Sequence, residues 1–264
     1  MAQIEFKLEH GVAEIVLNRP EKKNALDDAM TEELGAALMR AREANPRALF
    51  LRGEGGTFSA GRDLSTFDFE RTDVSAELQV RTALCELIHP VLVQLAHFPA
   101  PSFAAVTGAA LGLGFGLAFA CDVVYAADDA RVGSPFGKIG GVLDSGGHYF
   151  MASRIGPHRA LELIYSGRLL SGREAAEIGL VERAIAGAEV IAETRALARR
   201  VACGPSGAFM ASKRILRAGS PEHFSLDHVL AREAEAQAAA AAGHDFREGV
   251  KAFLEKRAPA FQGK

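Results

Sequence analysis

A glycine-rich segment near the middle of the chain has residue types that can bind a polarised oxygen. Gly108, Gly112, Gly114 and Gly116 lie between an apolar, strand-like segment at 102–107 and an apolar run compatible with a helix. Glycine lets the backbone approach a ligand closely, and the first turn of a helix offers unpaired N–H groups at the positive end of its dipole. These features predict a site for an anion or a polarised oxygen. The alternative interpretation is close packing of a helix on a sheet through small residues.

The segments that precede these glycines predict an α/β core. Alternating apolar residues at 4–8 and 12–17 flank His10-Gly11 and are typical of a hairpin. Residues 48–51 predict a short buried strand. Strands dominate the first half of the chain and helices the second, which indicates an α/β core followed by a helical C-terminal section.

Helices are predicted from the period of the apolar residues. A helix over 28–43 would be capped by Asp27, and one over 76–96 would be kinked at Pro90, which has no backbone N–H. The alanine-rich C-terminal section, from about residue 188, is helical by the same criterion. Three breaks interrupt it, at Gly204-Pro205, at 219–221 and at Gly243.

Composition and charge are those of an ordinary globular protein. The 264 residues are 48% hydrophobic and 24% charged, with a formal net charge of -3, so bulk charge does not suggest binding to nucleic acid or an anionic membrane. No apolar run reaches the roughly 18 residues of a membrane span, and the N-terminus lacks the apolar region of a signal peptide. We therefore expect a cytoplasmic protein, with Cys85, Cys121 and Cys203 as reduced thiols in the core.

Several short motifs, taken in order, resemble the crotonase superfamily of enoyl-CoA hydratase/isomerase proteins. Each motif is modest alone, but their order is highly specific, and the resemblance extends from about residue 4 to residue 261. The motifs are Asn18-Arg19-Pro20 with Asn24-Ala25-Leu26, Phe58-Ser59-Ala60-Gly61-Arg62-Asp63-Leu64, residues 101–122, Gly133 with Lys138-Ile139-Gly140, residues 171–181, and Phe253-Leu254-Glu255-Lys256-Arg257.

The resemblance implies a crotonase-like α/β fold. A spiral of ββα turns would occupy residues 1–200, and residues 201–264 would form a helical region that assembles trimers or pairs of trimers. Acyl-CoA thioesters would be the substrates, so coenzyme A would arrive as part of the substrate and no tightly bound cofactor or metal is expected. Neither nucleic acid nor a membrane is expected as a partner.

The resemblance also gives the glycine-rich segment a role. In this family two backbone N–H groups form an oxyanion hole for the thioester oxygen, and by position they belong to Arg62 and Leu113. This agrees with the oxygen site predicted from the glycines, because removing an α-proton places charge on that oxygen as an enolate. Preset donors stabilise such a charge, and the loss of one typically costs about 2.7–4 kcal/mol.

Contacts with coenzyme A follow from the resemblance by position. The matching segments of the family hold pantetheine and adenine, and a C-terminal pair often reaches the nucleotide across a subunit boundary. A lysine there suits a phosphate, although a solvated helix charge is the alternative for Lys256. The residues so assigned are Lys22, Ala25, Ala60, Asp63 and Leu64, together with Phe253 and Lys256.

The chain departs from the family's hydratases at two positions that decide the chemistry. Those enzymes use two glutamates to hold and activate water, and the corresponding residues here are Gly116 and Phe136. Neither side chain can transfer a proton. Ordinary two-glutamate hydration is therefore not expected.

A different carboxylate is present at Asp144, where enoyl-CoA isomerases and some aryl-CoA enzymes of the family place a catalytic aspartate. One carboxylate is sufficient for an isomerase, because it can take a proton from one carbon and return it two carbons along. An apolar wall such as Phe136 would raise the pKa of Asp144 by desolvation. The alternative is that Asp144 caps the helix that begins near Gly147.

Two histidines are further candidates. In 4-chlorobenzoyl-CoA dehalogenase-like members of the family, a histidine at a place similar to His89 serves as a base, but those members also use a tryptophan, and this chain has none. His148 could hydrogen-bond to Asp144. The alternatives are a structural histidine at position 89 and a surface helix residue at position 148.

The sequence leaves three functions open. Double-bond isomerisation of an enoyl-CoA with Asp144 as the acid and base is favoured. Hydration or another enolate reaction, including the aryl-CoA type, could use Asp144 with His89 or His148 instead. A scaffold that binds CoA esters without turnover is the third, and the intact oxyanion segments argue against it.

Overall fold

Nine strands form two sheets in the residues that the structure describes. The structure is a computed structural model, and it describes residues 2–66, 75–217 and 226–263. The strands are β1 (Ile4–Glu9), β2 (Val12–Leu17), β3 (Ala48–Gly53), β4 (Ser102–Val106), β5 (Ala109–Leu111), β6 (Val123–Ala127), β7 (Arg131–Gly133), β8 (Leu170–Ser171) and β9 (Arg183–Ile185).

The strand order distributes successive strands between the two sheets. The larger sheet has the order β1-β2-β3-β4-β6-β9 and the smaller one β5-β7-β8. β1 and β2 form the predicted antiparallel hairpin, and every later pair in the larger sheet is parallel. β4 and β5, and then β6 and β7, each pass from the larger sheet to the smaller before the next α-helix. Each passage is one ββα turn, which confirms the predicted α/β class.

Eleven α-helices accompany these strands in the same described residues. They are α1 (Asp28–Glu43), α2 (Ala76–Thr82), α3 (His89–Ala96), α4 (Leu113–Ala120), α5 (Gly147–Ile155), α6 (Pro157–Ser166), α7 (Gly172–Glu177), α8 (Val190–Ala202), α9 (Ser206–Leu216), α10 (Leu226–Ala242) and α11 (His244–Glu255).

Helix α1 confirms the predicted cap and apolar face. The Asp27 carboxylate accepts a hydrogen bond of 2.9 Å from the backbone N–H of Met30, which satisfies one of the unpaired donors of the first turn. Met30, Leu34 and Leu38 are buried, and the helix packs against β1 and α3.

The predicted long helix over 76–96 is interrupted before the proline. A π-helical segment, Ala83–Ile88, separates α2 from α3. The N–H of His89 donates to the carbonyl of Leu84, five residues earlier, and Pro90 has no N–H with which to continue the α-helical pattern. Residues 76–96 are therefore helical as predicted, but the helix changes to π turns ahead of Pro90, which the sequence did not predict.

The C-terminal helices are anchored to the core by charged side chains. The breaks predicted at Gly204-Pro205 and Gly243 are confirmed, while 219–221 lies outside the described residues. From α9, the Lys213 ammonium lies 2.7 Å from the Asp122 carboxylate and the Arg217 guanidinium lies 2.8 Å from it. This cluster joins α9 to the start of β6.

The cysteines correct one prediction. All three are free thiols, but Cys85 and Cys203 are exposed and Cys121 alone among them is buried. Burial raises the pKa of the Cys121 thiol to about 12. The prediction that Cys85 and Cys203 lie in the core was wrong. Their sequence neighbours are apolar, but each cysteine lies on the outer side of its helix or at the end of one.

Candidate active site

The two segments predicted to form the oxygen site lie side by side. The N–H of Ser59 donates to the carbonyl of Ala109 at 2.9 Å, and the N–H of Leu111 donates to the carbonyl of Ser59 at 3.1 Å. Gly61 has a φ of +101°, and a Cβ built on it would lie 2.6 Å from the Leu111 oxygen and 3.5 Å from the Leu113 nitrogen. Glycine is therefore required at position 61 for the peptides of Arg62 and Leu113 to approach each other.

Neighbouring hydrogen bonds constrain the Arg62 N–H, and Leu113 lies at the start of a helix. Leu26 donates to the Gly61 carbonyl and accepts from Asp63, both at 2.8 Å. These bonds use the peptide groups on either side of Arg62, so the N–H of Arg62 points away from Leu26. Leu113 is the first residue of α4, and an N–H in the first turn has no partner within its helix. The side chain of Arg62 forms an ion pair with Asp28.

Three of the four glycines, Gly108, Gly114 and Gly116, have the alternative role of close packing. A Cβ on Gly114 would lie 2.6 Å from the Ser59 carbonyl oxygen, and one on Gly108 would lie 2.8 Å from the Thr57 hydroxyl. These contacts hold α4 and the preceding turn against the Ser59 segment. The close-packing interpretation of the glycine-rich segment is therefore confirmed for these residues, and the oxygen site stays a prediction.

Gly116 lies where a loop residue occupies the space of a side chain. A Cβ at position 116 would overlap the carbonyl oxygen of Ser145 and lie 2.9 Å from the Ser145 Cβ. Gly116 is fully enclosed in helix α4. The segment that carries Asp144 thus packs against α4 at the position where the family's hydratases carry a glutamate.

The ring of Phe136 lies beside the oxygen site. Its Cε2 atom is 3.5 Å from the position of a Cβ on Gly112, the residue directly before Leu113. Phe136 is half-buried and packs against the core. Its ring is therefore an apolar neighbour of the candidate oxygen site, at the position where the resemblance predicts the second hydratase glutamate.

Asp144 is half-buried in the loop that leads to α5. The Ser145 hydroxyl donates to its Oδ1 atom at 2.8 Å. Burial raises the pKa of the Asp144 carboxyl above its usual value, although the Ser145 hydrogen bond and the charges of His89 and His148 act in the opposite direction. A carboxyl with a raised pKa is a stronger base once it is ionised.

Asp144 does not cap α5 through its side chain. The N-cap of α5 is Gly146, with a φ of +75° and no side-chain cap bond. The backbone carbonyl of Asp144, not its carboxylate, accepts the N–H of Gly147 at 2.8 Å. The capping alternative is therefore wrong, because the turn positions the Asp144 carboxylate for the Ser145 hydroxyl instead.

His89 and His148 are both exposed and approach Asp144 from different helices. His89 begins α3, and His148 is the second residue of α5. Each lies close enough for its charge to lower the pKa of Asp144. His89 also lines a cavity of about 300 Å³ together with Leu92, Val93, Ala96, His97, Gly146, Tyr149, Phe150 and Arg217.

The predicted coenzyme A residues of the first half form one edge near the oxygen site. Lys22 is exposed at the end of a 3₁₀ turn. The N–H of Ala60 donates to the Lys23 carbonyl at 2.9 Å, which joins the Lys22–Ala25 segment to the Ala60–Leu64 segment. Leu64 is exposed. The two segments lie side by side, and their contact with coenzyme A stays a prediction.

Arg19 and Asn24 hold this edge in place and were missed as functional positions. Arg19 donates to the Ala25 carbonyl at 2.9 Å and to the Asp63 carboxylate at 2.8 Å. Hydrogen bonds from Ser65, with the Arg19 charge, lower the pKa of Asp63 to about 2. The buried Asn24 amide donates to the carbonyls of Glu54 and Thr57 at 2.9 and 2.6 Å. The sequence feature that could have identified Arg19 and Asn24 is the spacing between the Asn18-Arg19-Pro20 motif and Asn24.

Phe253 and Lys256 belong to a separate surface. Phe253 is 83% exposed on α11, and Lys256 ends this helix with a φ of +54°. Phe253 lines a cavity of about 590 Å³ between α9, α10 and α11. Within the described residues, the lining of this cavity contains no other predicted site residue.

The described ranges contain neither a cluster of metal-ligating side chains nor a helix that could span a membrane. No group of three or more His, Cys, Asp or Glu side chains among residues 2–66, 75–217 and 226–263 could hold a metal ion. No helix in these ranges is both long and apolar enough to span a bilayer.

Known proteins resemble the chain over its whole length. A family model described as Enoyl-CoA hydratase/isomerase matches residues 7–264. A Rhodobacter capsulatus protein named "Probable enoyl-CoA hydratase" is 41% identical over 262 residues, which cover 99% of this chain and 98% of the relative. The Escherichia coli 1,2-epoxyphenylacetyl-CoA isomerase is 35% identical over 266 residues, with 99% of this chain and 100% of the relative covered.

A solved structure gives the same result for the fold. The crystal structure of an enoyl-CoA hydratase from Bacillus anthracis superposes with a TM-score of 0.89 at 34% identity, covering 99% of this chain and 100% of that one. The predicted crotonase-like arrangement of ββα turns is therefore confirmed.

Proposed function

Because the chain belongs to the enoyl-CoA hydratase/isomerase family, we propose that it is an enzyme that moves a double bond within an enoyl-CoA thioester. The substrate would be a 3-enoyl-CoA and the product its conjugated 2-enoyl isomer. Coenzyme A would enter as part of the substrate, and no other cofactor is required for this reaction.

The reaction needs one base and one oxygen site. The backbone N–H groups of Arg62 and Leu113 would bind the thioester oxygen. Asp144 would remove a proton from the carbon next to the thioester, which gives an enolate whose charge the two N–H groups stabilise. The same carboxyl would return the proton two carbons along, so the protons balance without a second acid or a water molecule.

One observation carries this proposal over hydration. The backbone of Ser145 fills the space beside Gly116, so a glutamate cannot be placed there, while the adjacent Asp144 supplies a carboxylate. Phe136 replaces the second glutamate with an apolar ring. A site with one carboxylate and an apolar wall favours proton transfer within the substrate over activation of water.

Hydration or another enolate reaction is the second candidate, because His89 and His148 lie within electrostatic reach of Asp144. The relative named 1,2-epoxyphenylacetyl-CoA isomerase makes an aryl-CoA substrate a specific form of this candidate. Binding of CoA esters without turnover is the third candidate, and the preset oxygen site argues against it.

Binding and assembly would use the two surfaces described above. Lys22, Ala25, Ala60, Asp63 and Leu64 would line the pantetheine and adenine path. Phe253 and Lys256 would approach the nucleotide from a neighbouring subunit of a trimer or a pair of trimers. The helical region from about residue 201 would form the subunit contacts, and the cytoplasm is the expected location.

A substrate panel tests these candidates against one another. The protein is incubated with 3-enoyl, 2-enoyl, saturated and aromatic CoA esters, and the products are followed by thioester-conjugated absorbance and by mass. Rising absorbance with a 3-enoyl-CoA, lost in Asp144→Asn, is the expected result. Rapid loss of absorbance with crotonyl-CoA would favour hydration, and acyl-CoA binding without product would favour the scaffold.

A further inference from the structure

Ser145 combines burial, a positive φ and a hydrogen bond to the proposed base. It is 2% exposed, its φ is +53°, and its hydroxyl donates to Asp144 Oδ1 at 2.8 Å. Its carbonyl and Cβ also pack against Gly116 of α4. The residue therefore links the proposed base to the helix that carries one of the oxygen-site donors.

The positive φ of Ser145 is unfavourable for a residue with a side chain. A positive φ costs roughly 1–2 kcal/mol for a residue with a Cβ, and glycine occupies the other turn positions of this kind nearby, at Gly140 and Gly146. Glycine at position 145 would avoid that cost. What serine adds is a hydroxyl, and that hydroxyl bonds to Asp144.

We propose that Ser145 is a positioning residue for Asp144, which holds Oδ1 through its hydroxyl and fixes the loop through its contact with Gly116. With Oδ1 accepting this hydrogen bond, Oδ2 is the oxygen left to take and return the substrate proton. The inference rests on the proposed function, because it concerns the same carboxylate.

The bond also adjusts the strength of the base. Burial raises the pKa of Asp144, whereas the Ser145 hydroxyl and the charges of His89 on α3 and His148 on α5 lower it. A hydrogen bond that a carboxylate accepts stabilises its charged form. Loss of the hydroxyl should therefore raise the pKa of the carboxylate on which turnover depends.

Two substitutions distinguish the effect of the Ser145 hydroxyl from the effect of its backbone conformation. Ser145→Ala removes the hydroxyl and keeps the strained φ, whereas Ser145→Gly removes the hydroxyl and relieves the strain. In both we expect kcat to fall about tenfold with little change in KM, and the acid limb of the pH profile of kcat/KM to move up by about one unit. Ser153→Ala on α5, whose hydroxyl donates to the Phe150 carbonyl at 3.1 Å, is the control and should keep the wild-type profile.

The outcomes distinguish this inference from the proposed function. If Asp144→Asn keeps the full rate, the proposed function fails and takes this inference with it. If Asp144→Asn is inactive but both Ser145 variants keep the wild-type rate and pH profile, the proposed function stands and the positioning role is overturned. A defect in Ser145→Ala that Ser145→Gly repairs would also overturn it, because the backbone and not the hydroxyl would then be responsible.

Discussion

Gly61 lies against the carbonyl of Leu111: a Cβ on Gly61 would be only 2.6 Å from the Leu111 oxygen, and it would be in van der Waals contact, at 3.5 Å, with the backbone nitrogen of Leu113. This contact places the peptide that follows Gly61 next to the first peptide of α4. Any side chain at position 61 would push the two apart. The geometry of the oxygen site therefore depends on a glycine whose own N–H is not one of the proposed donors.

Gly61→Ala should reduce kcat strongly. The added methyl group displaces the Arg62 or Leu113 N–H from the oxyanion, and loss of one such donor costs about 2.7–4 kcal/mol, or roughly 10²- to 10³-fold in rate. Steady-state kinetics with a 3-enoyl-CoA measures the effect. Gly56→Ala is the control, because Gly56 also has a positive φ, of +78°, but a Cβ there meets nothing within 4 Å. Equal losses in both variants would show that strain, not donor geometry, is responsible.

Asp144→Asn should remove activity while raising stability at neutral pH. Burial raises the pKa of Asp144, so the folded protein binds that proton more tightly than the unfolded chain does. Stability is then highest below the unfolded pKa and falls as the pH rises through the folded pKa. Asparagine carries no charge to bury and avoids this loss.

Urea unfolding at several pH values measures this difference. Asp144→Asn should have a higher free energy of unfolding than the wild type at pH 7. This difference in free energy should become smaller as the pH falls. Asp128→Asn, at an exposed carboxylate 3.5 Å from Arg173, should show no such gap. A wild type more stable than Asp144→Asn at pH 7 would contradict the assignment of Asp144 as a carboxylate disfavoured by burial.

Local sequence features predicted the parts of the molecule that depend on neighbours along the chain. The Asp27 cap and the apolar face of α1 follow from residues within four positions of one another. The hairpin follows from alternation around His10-Gly11. The sequence also shows glycine and phenylalanine, at Gly116 and Phe136, in the two positions where the resemblance predicts the hydratase glutamates.

Contacts between distant segments could not be predicted in the same way. The packing of Ser145 on Gly116 joins residues 29 positions apart in sequence, and no local pattern indicates it. The Arg19–Asp63 ion pair is of the same kind. The π-helical segment before Pro90 also escaped prediction, because the proline indicates a disturbance but not the pattern of hydrogen bonds that replaces the helix.

Gly116→Glu should not create a hydratase. The glutamate Cβ would overlap the Ser145 carbonyl, so the loop that carries Asp144 must move, and isomerase activity should fall by about 10²-fold or more. Assays with 3-enoyl-CoA and with crotonyl-CoA measure both activities. Gly207→Ala in α9 is the control, because a Cβ there meets nothing within 4 Å and alanine favours a helix. Rapid hydration of crotonyl-CoA by Gly116→Glu would contradict the steric explanation.

Asp122→Asn should destabilise the anchoring of α9. The substitution leaves the nearly buried Lys213 ammonium without its carboxylate at 2.7 Å and removes the Arg217 contact at 2.8 Å. Removing one partner of a buried ion pair costs about 3 kcal/mol. Thermal or urea unfolding measures the loss, and Asp128→Asn should change stability by less than about 0.5 kcal/mol. Equal stability of the two variants would show that the Asp122 cluster is not an anchor.

Leu254→Asp should separate the subunits of the proposed trimer. Leu254 and Phe253 are 73% and 83% exposed on α11, and large apolar side chains so exposed on one helix favour burial against another chain. A charge introduced at such a contact would have to be desolvated. Sedimentation equilibrium should therefore give a mass of three or six chains for the wild type and a smaller one for Leu254→Asp.

Tyr165→Asp, at an aromatic side chain that is 80% exposed at the end of α6, is the control for adding a charge to an exposed apolar position and should keep the wild-type mass. A monomeric wild type would refute the trimer outright, and an unchanged mass in Leu254→Asp would move the subunit contact away from α11.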